Sequence, residues 1–278
     1  MPFTLAHPIA TIPLWHVTRR RLDLPALAIG STVPDISYFI ALRPVPNIGH
    51  SPLGIVIQGI PSGLILLFIW RYLLWDVILA LLPSERFAGT SVETLHEEEV
   101  SPPSHRNSFL ITLAHRIPPS SHYSFWSVPR LITIILSIAI GALTHVVWDS
   151  ATHIYGWTVV RVSWLSAFVG PLPVYKWLQH GGGVIGLALL FVLSIKTLHK
   201  REPQYPPLQL SIRHKRTAWL AVSISTALVI WQAVSLLPPE HGFSSLIVAG
   251  VIGLISGSFV GLCLYAIWFW SRRLVSTE

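Results

Sequence analysis

Apolar stretches of membrane-crossing length recur along this chain, at 24–42, 53–82, 131–148, 183–198, 218–237 and 246–270. A helix spanning the hydrocarbon core needs about 20 predominantly apolar residues, and in lipid only helices and closed barrels satisfy their own backbone. Of the 278 residues, 52% are hydrophobic and 11% charged, against about 25% charged in an ordinary soluble domain. Twelve Trp are available for aromatic belts at two interfaces. The chain therefore reads as all-α: a polytopic helical membrane protein of about six transmembrane helices, forming a single integral membrane domain over residues 1–278. Neither an internal repeat nor a separate soluble domain is visible.

The runs are not uniform. Pro34-Asp35 interrupts the first. The second exceeds one span, which places a membrane helix in its first two-thirds and then a surface helix carrying Arg71 and Asp76 and ending at Pro83. Residues 5–17 are apolar enough for a re-entrant or interfacial helix, and 84–129 is a polar, Pro- and Ser-rich loop. Met1-Pro-Phe-Thr lacks the basic n-region of a cleavable signal, so none is expected.

The net charge of +7 gathers at segment ends: Arg19 to Arg21, Lys196 to Arg201, Arg213 to Arg216, and Arg272-Arg273. This is the pattern of the positive-inside rule. It makes 199–217 a cytoplasmic loop and puts the C-terminus on the same side. His180 and the end of the 131–148 helix then fall on the opposite side. With no soluble basic domain, nucleic-acid binding is not expected. Cys263 is the only cysteine and lies in an apolar run, which excludes an intramolecular disulfide and a thiolate zinc cage.

Ionisable residues at membrane depth are costly and mark functional sites. His145, Asp149 and His153 follow one another at four-residue intervals and stack along one helix face. Two imidazoles and a carboxylate on one stripe are a metal-ligand set. On a regular helix His145 and His153 stand about 12 Å apart along the axis, too far to share one ion. Either two ions are bridged by Asp149, or the helix breaks before His153. Asp35 follows Pro34, which removes a backbone donor and loosens the helix; a carboxylate there needs a cation, a metal or a proton. His50 precedes Ser51-Pro52, a helix N-cap followed by proline at the first helical position. Taken alone, His50 beside a cap and His7 in an apolar segment read as structural. His96, His105, His115, His122 and Glu97 to Glu99 fall in the polar loop and read as solvated.

The opening Met1-Pro-Phe-Thr-Leu-Ala-His7-Pro8, the segment Leu24 to Ser31 and Pro34-Asp35 resemble an uncharacterised bacterial integral-membrane family of unknown function. In motif order the chain is similar to the YdjM-like predicted membrane-bound metal-dependent hydrolases, with an early His (His7), a Pro-Asp (Pro34-Asp35), a His-Ser (His50-Ser51) and a Gly-x-x-x-His-x-x-x-Asp stretch (Gly141 to Asp149). The run through His153 also resembles the zinc-dependent phospholipases C and their related nucleases.

The resemblance implies one centre built from His7, Asp35, His50, His145, Asp149 and His153. Six nitrogen and oxygen donors without sulfur suit a divalent metal, above all zinc. The expected function is a membrane-embedded metal-dependent hydrolase acting on a lipid or lipid-linked phosphate or ester, with Asp35 or Asp149 as bridging ligand or base. Its partner would be membrane lipid and its location a bacterial plasma (inner) membrane. An ion or solute transporter using the same intramembrane groups, and a structural membrane protein whose polar residues only pack helices, are the alternatives.

Overall fold

The structure is a computed structural model that describes residues 4–46, 48–81, 127–199 and 210–275. It is almost wholly helical, and six helical segments are long and apolar enough to cross a membrane. Their outward faces carry large apolar side chains such as Val184, Phe191, Trp219 and Trp231, as lipid-facing surfaces do. The chain thus reads as an integral membrane protein.

A single 3-10 turn, Thr4–Ala6, leads into α1 (Pro8–Val17). The first span, Leu24–Ala41, is composite. Its first half, α2 (Leu24–Gly30), begins at Asp23, whose side chain accepts from the Ala26 amide, with proline in the first turn. A 3-10 turn at Val33–Asp35 follows, where Pro34 lacks an N–H to donate, and α3 (Ile36–Ala41) completes the span. The expected break at Pro34-Asp35 is present.

The second span, α4 (Pro52–Leu81), runs as one helix that widens into π-turns at Ile55–Gly59 and Ile69–Leu74. The separate surface helix expected to carry Arg71 and Asp76 does not form: both lie on the continuous helix. Leu74, Val77 and Ala80 are buried in that last stretch, and the first two pack with Ala218, Tyr265 and Phe269. Burial on neighbouring helices outweighs the local charge of Arg71 and Asp76.

The third span, α5 (Val128–Thr152), lies against α2. The contact is backbone to backbone. A Cβ on Gly30 would strike the Ile138 backbone, and one on Gly141 would strike the Leu27 carbonyl and the Ser31 amide. Small residues let membrane helices approach this closely. At the start of α5, Arg130 Nη2 donates to Asp23 Oδ2 at 2.8 Å and the Asp23 amide donates to Ser137 Oγ at 2.9 Å. Arg71 reaches the same carboxylate from α4 at 3.7 Å. One end of α2, α4 and α5 is therefore pinned by charge, and the other end is left for the cluster described below.

The segment after α5 holds a short helix, α6 (Trp157–Arg161), a 3-10 turn (Ser163–Ser166) and a minimal hairpin. In the hairpin β1 (Phe168–Val169) pairs antiparallel with β2 (Leu172–Pro173), turning at Gly170 with φ +64°. Helix α7 (Val174–His199) starts nine residues before the apolar run that announces it. Lys176, Gln179 and His180 in its first turns depress local hydropathy. His180 and the Gly181 to Gly183 run are therefore inside a helix, with Gly182 against the Trp148 ring.

Helices α8 (Ile212–Ser235) and α9 (Phe243–Val275) form a long hairpin. Gly253, Gly257 and Gly261, four apart on α9, sit against the Ile230, Thr226 and Val222 backbones of α8. The hairpin docks through α9, whose Ser256 Oγ donates to the Phe39 carbonyl at 3.0 Å. Most of the polar loop 84–129, including its histidines and Glu97 to Glu99, and positions 200–209 of the basic loop lie outside the described residues.

Candidate metal centre

Four chain segments meet where the first span breaks. Asp35 is delivered by the 3-10 turn between α2 and α3, and it is 1% exposed. His145 and Asp149 come from successive turns of α5, and His145 is fully buried. His50 stands just before α4, held by the cap foreseen in the sequence: Ser51 Oγ accepts from the Gly54 amide at 3.0 Å. His7 directly precedes α1.

One donor atom from each of Asp35, His50, His145 and Asp149 lies within 4.8 Å of the other three, and this group could hold a metal ion. Within it, His145 Nε2 is 3.3 Å from Asp149 Oδ2 and 3.7 Å from Asp35 Oδ2. His50 Nε2 is 3.3 Å from Asp149 Oδ2 and 3.5 Å from Asp35 Oδ1. Only the His50 side chain is substantially open, at 29% exposure, so the cluster is reached from that side.

The His145 ring is fixed by the α2–α5 contact. Because Gly30 and Gly141 bring the two backbones together, His145 Nδ1 meets the Ser31 carbonyl at 2.8 Å. A carbonyl only accepts, so Nδ1 carries a proton, and Nε2 is the ring nitrogen turned inward toward the two carboxylates. That buried Nε2 makes no hydrogen bond, and neither does the buried Oδ1 of Asp35. Buried polar atoms are normally partnered, and each exception asks for an explanation such as an ion. Here a ring nitrogen and two carboxylates face one another, an arrangement that suits a cation.

The remaining two candidates border the Oδ1 edge of Asp149. His7 Nε2 is 3.7 Å from it, and the His7 ring stacks on His145 with centroids 3.8 Å apart. Burial, reinforced by the neighbouring His145, pulls the His7 pKa down to about 3, so its imidazole is neutral at pH 7. His153 does not continue the helix. It adopts extended backbone (φ −122°, ψ 142°), which turns its Nδ1 back to 3.6 Å from Asp149 Oδ1. Gly156 allows this reversal, since a Cβ there would collide with the Ser150 carbonyl. Burial also lowers the His153 pKa.

Three supporting residues were not singled out in the sequence. Thr4 Oγ1 donates to Asp35 Oδ2 at 2.6 Å, Ser31 supplies the carbonyl for His145, and Gln179 Nε2 is 3.0 Å from His153 Nε2. Thr4 and Gln179 each stand near a recognisable histidine in sequence, but nothing in their own context marks them.

The fold and this cluster define a class: a polytopic helical membrane protein with a buried His/Asp group able to hold a metal. The chain belongs to the DUF4184 family, a domain of unknown function, whose sequence profile matches residues 1–267. No curated protein and no solved structure matches the chain.

Proposed function

We propose that this protein is a membrane-embedded metal-dependent hydrolase, with zinc as the ion and a lipid or lipid-linked phosphate or ester as substrate. The observation that carries the reading is the pair of buried atoms without a hydrogen bond, His145 Nε2 and Asp35 Oδ1, which face Asp149 and His50 at ion-pair distance. Two carboxylates and two imidazoles without sulfur match the donor preferences of zinc. The resemblance in motif order to the YdjM-like predicted hydrolases is what suggests hydrolysis and a bacterial plasma membrane.

A bound divalent ion supplies Lewis acidity toward an ester or phosphoryl oxygen. The protein's own groups divide the remaining work. Asp35, wholly buried and held by Thr4, fixes negative charge on the closed side. His145, locked by the Ser31 carbonyl, keeps its Nε2 aimed at the centre. Asp149, nearer the open side, is the carboxylate placed to accept a proton from an attacking water.

One feature supports a lipid-borne substrate. Immediately after His153 the chain exposes Tyr155, Trp157, Trp164 and Phe168, the residue types that sit at headgroup level.

Metal analysis of detergent-purified protein is the test. The wild type should carry a stoichiometric ion that His145→Ala and Asp149→Ala lose, and the loaded protein should release phosphate or acid from lipid substrates. Absence of an ion from the wild type would sink the metal reading. Solute flux in liposomes without turnover would return the transporter alternative.

A further inference from the structure

A chain of polar groups on α7 fixes where His153 carries its proton. Lys176 Nζ donates to Gln179 Oε1 at 2.8 Å. An ammonium has only donors, so this contact sets the orientation of the Gln179 amide. Its NH₂ is then the end that faces His153 Nε2 at 3.0 Å, and that nitrogen accepts. The other side of the ring agrees. Nδ1 is surrounded by acceptors: the Asp149 carbonyl at 3.2 Å and the Thr152 hydroxyl oxygen at 3.2 Å. The Thr152 hydroxyl proton is directed to the Trp148 carbonyl, which leaves its oxygen free to accept. Both ends of the imidazole therefore specify the neutral tautomer protonated at Nδ1.

We propose that the centre takes one ion rather than two, and that His153 is a positioning residue outside the coordination shell. This rests on the metal-centre reading above. A second ion bridged by Asp149 would sit on the Oδ1 edge, where the nearby imidazole nitrogens are His7 Nε2 at 3.7 Å and His153 Nδ1 at 3.6 Å. His153 offers that edge an N–H, not a lone pair, and its Nε2 lone pair is taken by Gln179. What His153 does instead is clip the end of α5. Its backbone amide and its Nδ1–H both reach the Asp149 carbonyl, at 3.1 and 3.2 Å. The last turn is thereby closed around Asp149, and Lys176 and Gln179 hold the clip from α7. Partners of this kind orient metal-binding groups, and their loss typically costs 10–100-fold in metal affinity.

Two measurements test this. Long-range ¹H–¹⁵N correlation spectra of metal-free, [¹⁵N]His-labelled wild type should show His153 protonated at Nδ1, with its assignment fixed by a His153→Asn sample. Zinc titration of the wild type should then saturate at one ion per chain. Gln179→Glu, which replaces the donor with an acceptor and draws the proton to Nε2, should weaken zinc binding about 10–100-fold at unchanged stoichiometry. His153→Asn, whose amide can donate in place of Nδ1–H, should bind close to wild type and leave the visible spectrum of the Co²⁺ form unchanged. Two ions per chain, an Nε2–H tautomer, or loss of the ion from His153→Asn as complete as from His145→Ala would each overturn the proposal. A wild type that binds no ion removes the metal centre itself, a different result from any of these.

Discussion

Asp35→Asn should make the metal-free protein more stable while abolishing its ion. Asp35 is 1% exposed, its Oδ1 has no hydrogen-bond partner, and its carboxylate shares a space of 4.8 Å with that of Asp149. Two unit charges about 5 Å apart at an effective dielectric near 20 repel by roughly 3 kcal/mol. The amide removes that repulsion, keeps an oxygen at the Oδ2 position for the Thr4 hydroxyl and places its N–H groups at the Oδ1 position, 3.5 Å from His50 Nε2. For a chain of this size 1 kcal/mol moves Tm by about 2 °C or slightly more, so in chelator the variant should melt roughly 5–10 °C above wild type. Zinc at a thousandfold excess over Kd adds about 4 kcal/mol to a protein that binds it. It should raise the wild type and not the variant, closing or reversing the gap. The assay is thermal unfolding in detergent, followed by tryptophan fluorescence with chelator and with zinc. A variant that melts below wild type by the same amount in both conditions would refute the argument, because Asp35 would then be only a packing acceptor for Thr4.

Three further outcomes are expected. Gly30→Ala places a methyl against the Ile138 backbone and should cost about 1–3 kcal/mol as overpacking; ion analysis should show loss of metal together with the lower Tm. Ser51→Ala removes the cap that holds His50 and should destabilise by about 0.5–2 kcal/mol, with weaker zinc binding measured by titration. The His7 pKa of about 3 lies below the value of 6.5 for an unperturbed histidine, so between these the unfolded chain binds a proton that the folded one does not. The stability of metal-free protein should therefore rise with pH across that window, and His7→Gln should flatten the slope in denaturant titrations run at several pH values.

The membrane architecture was legible because hydropathy is a bulk property, readable wherever twenty apolar residues run together. Where polar residues at a helix start face inward, as Lys176 and Gln179 do on α7, the same signal misplaces the boundary. Burial on a neighbour also escaped it, which is why the end of α4 looked like a surface helix. At the cluster, the four-residue spacing of His145, Asp149 and His153 announced the α5 face, and Pro34 announced the break at Asp35. The proximity of Asp35 and His50 to that face was implied by motif order, not by spacing, since it depends on α2 and α5 touching at Gly30 and Gly141. The helix end at Thr152 turns on Gly156, three residues after His153, whose meaning appears only when the reversed backbone is seen. Sequence left two arrangements open for His153, and the chain stops the helix to choose one of them.

The glycine contact between α2 and α5 has a consequence for handling the protein. Because main chains, rather than the ion, hold the donors face to face, the vessel is moulded before its content arrives. Stripping and reloading the centre should then proceed in the assembled protein within minutes, with no passage through an unfolded chain, and metals of different size can be compared in one unaltered scaffold.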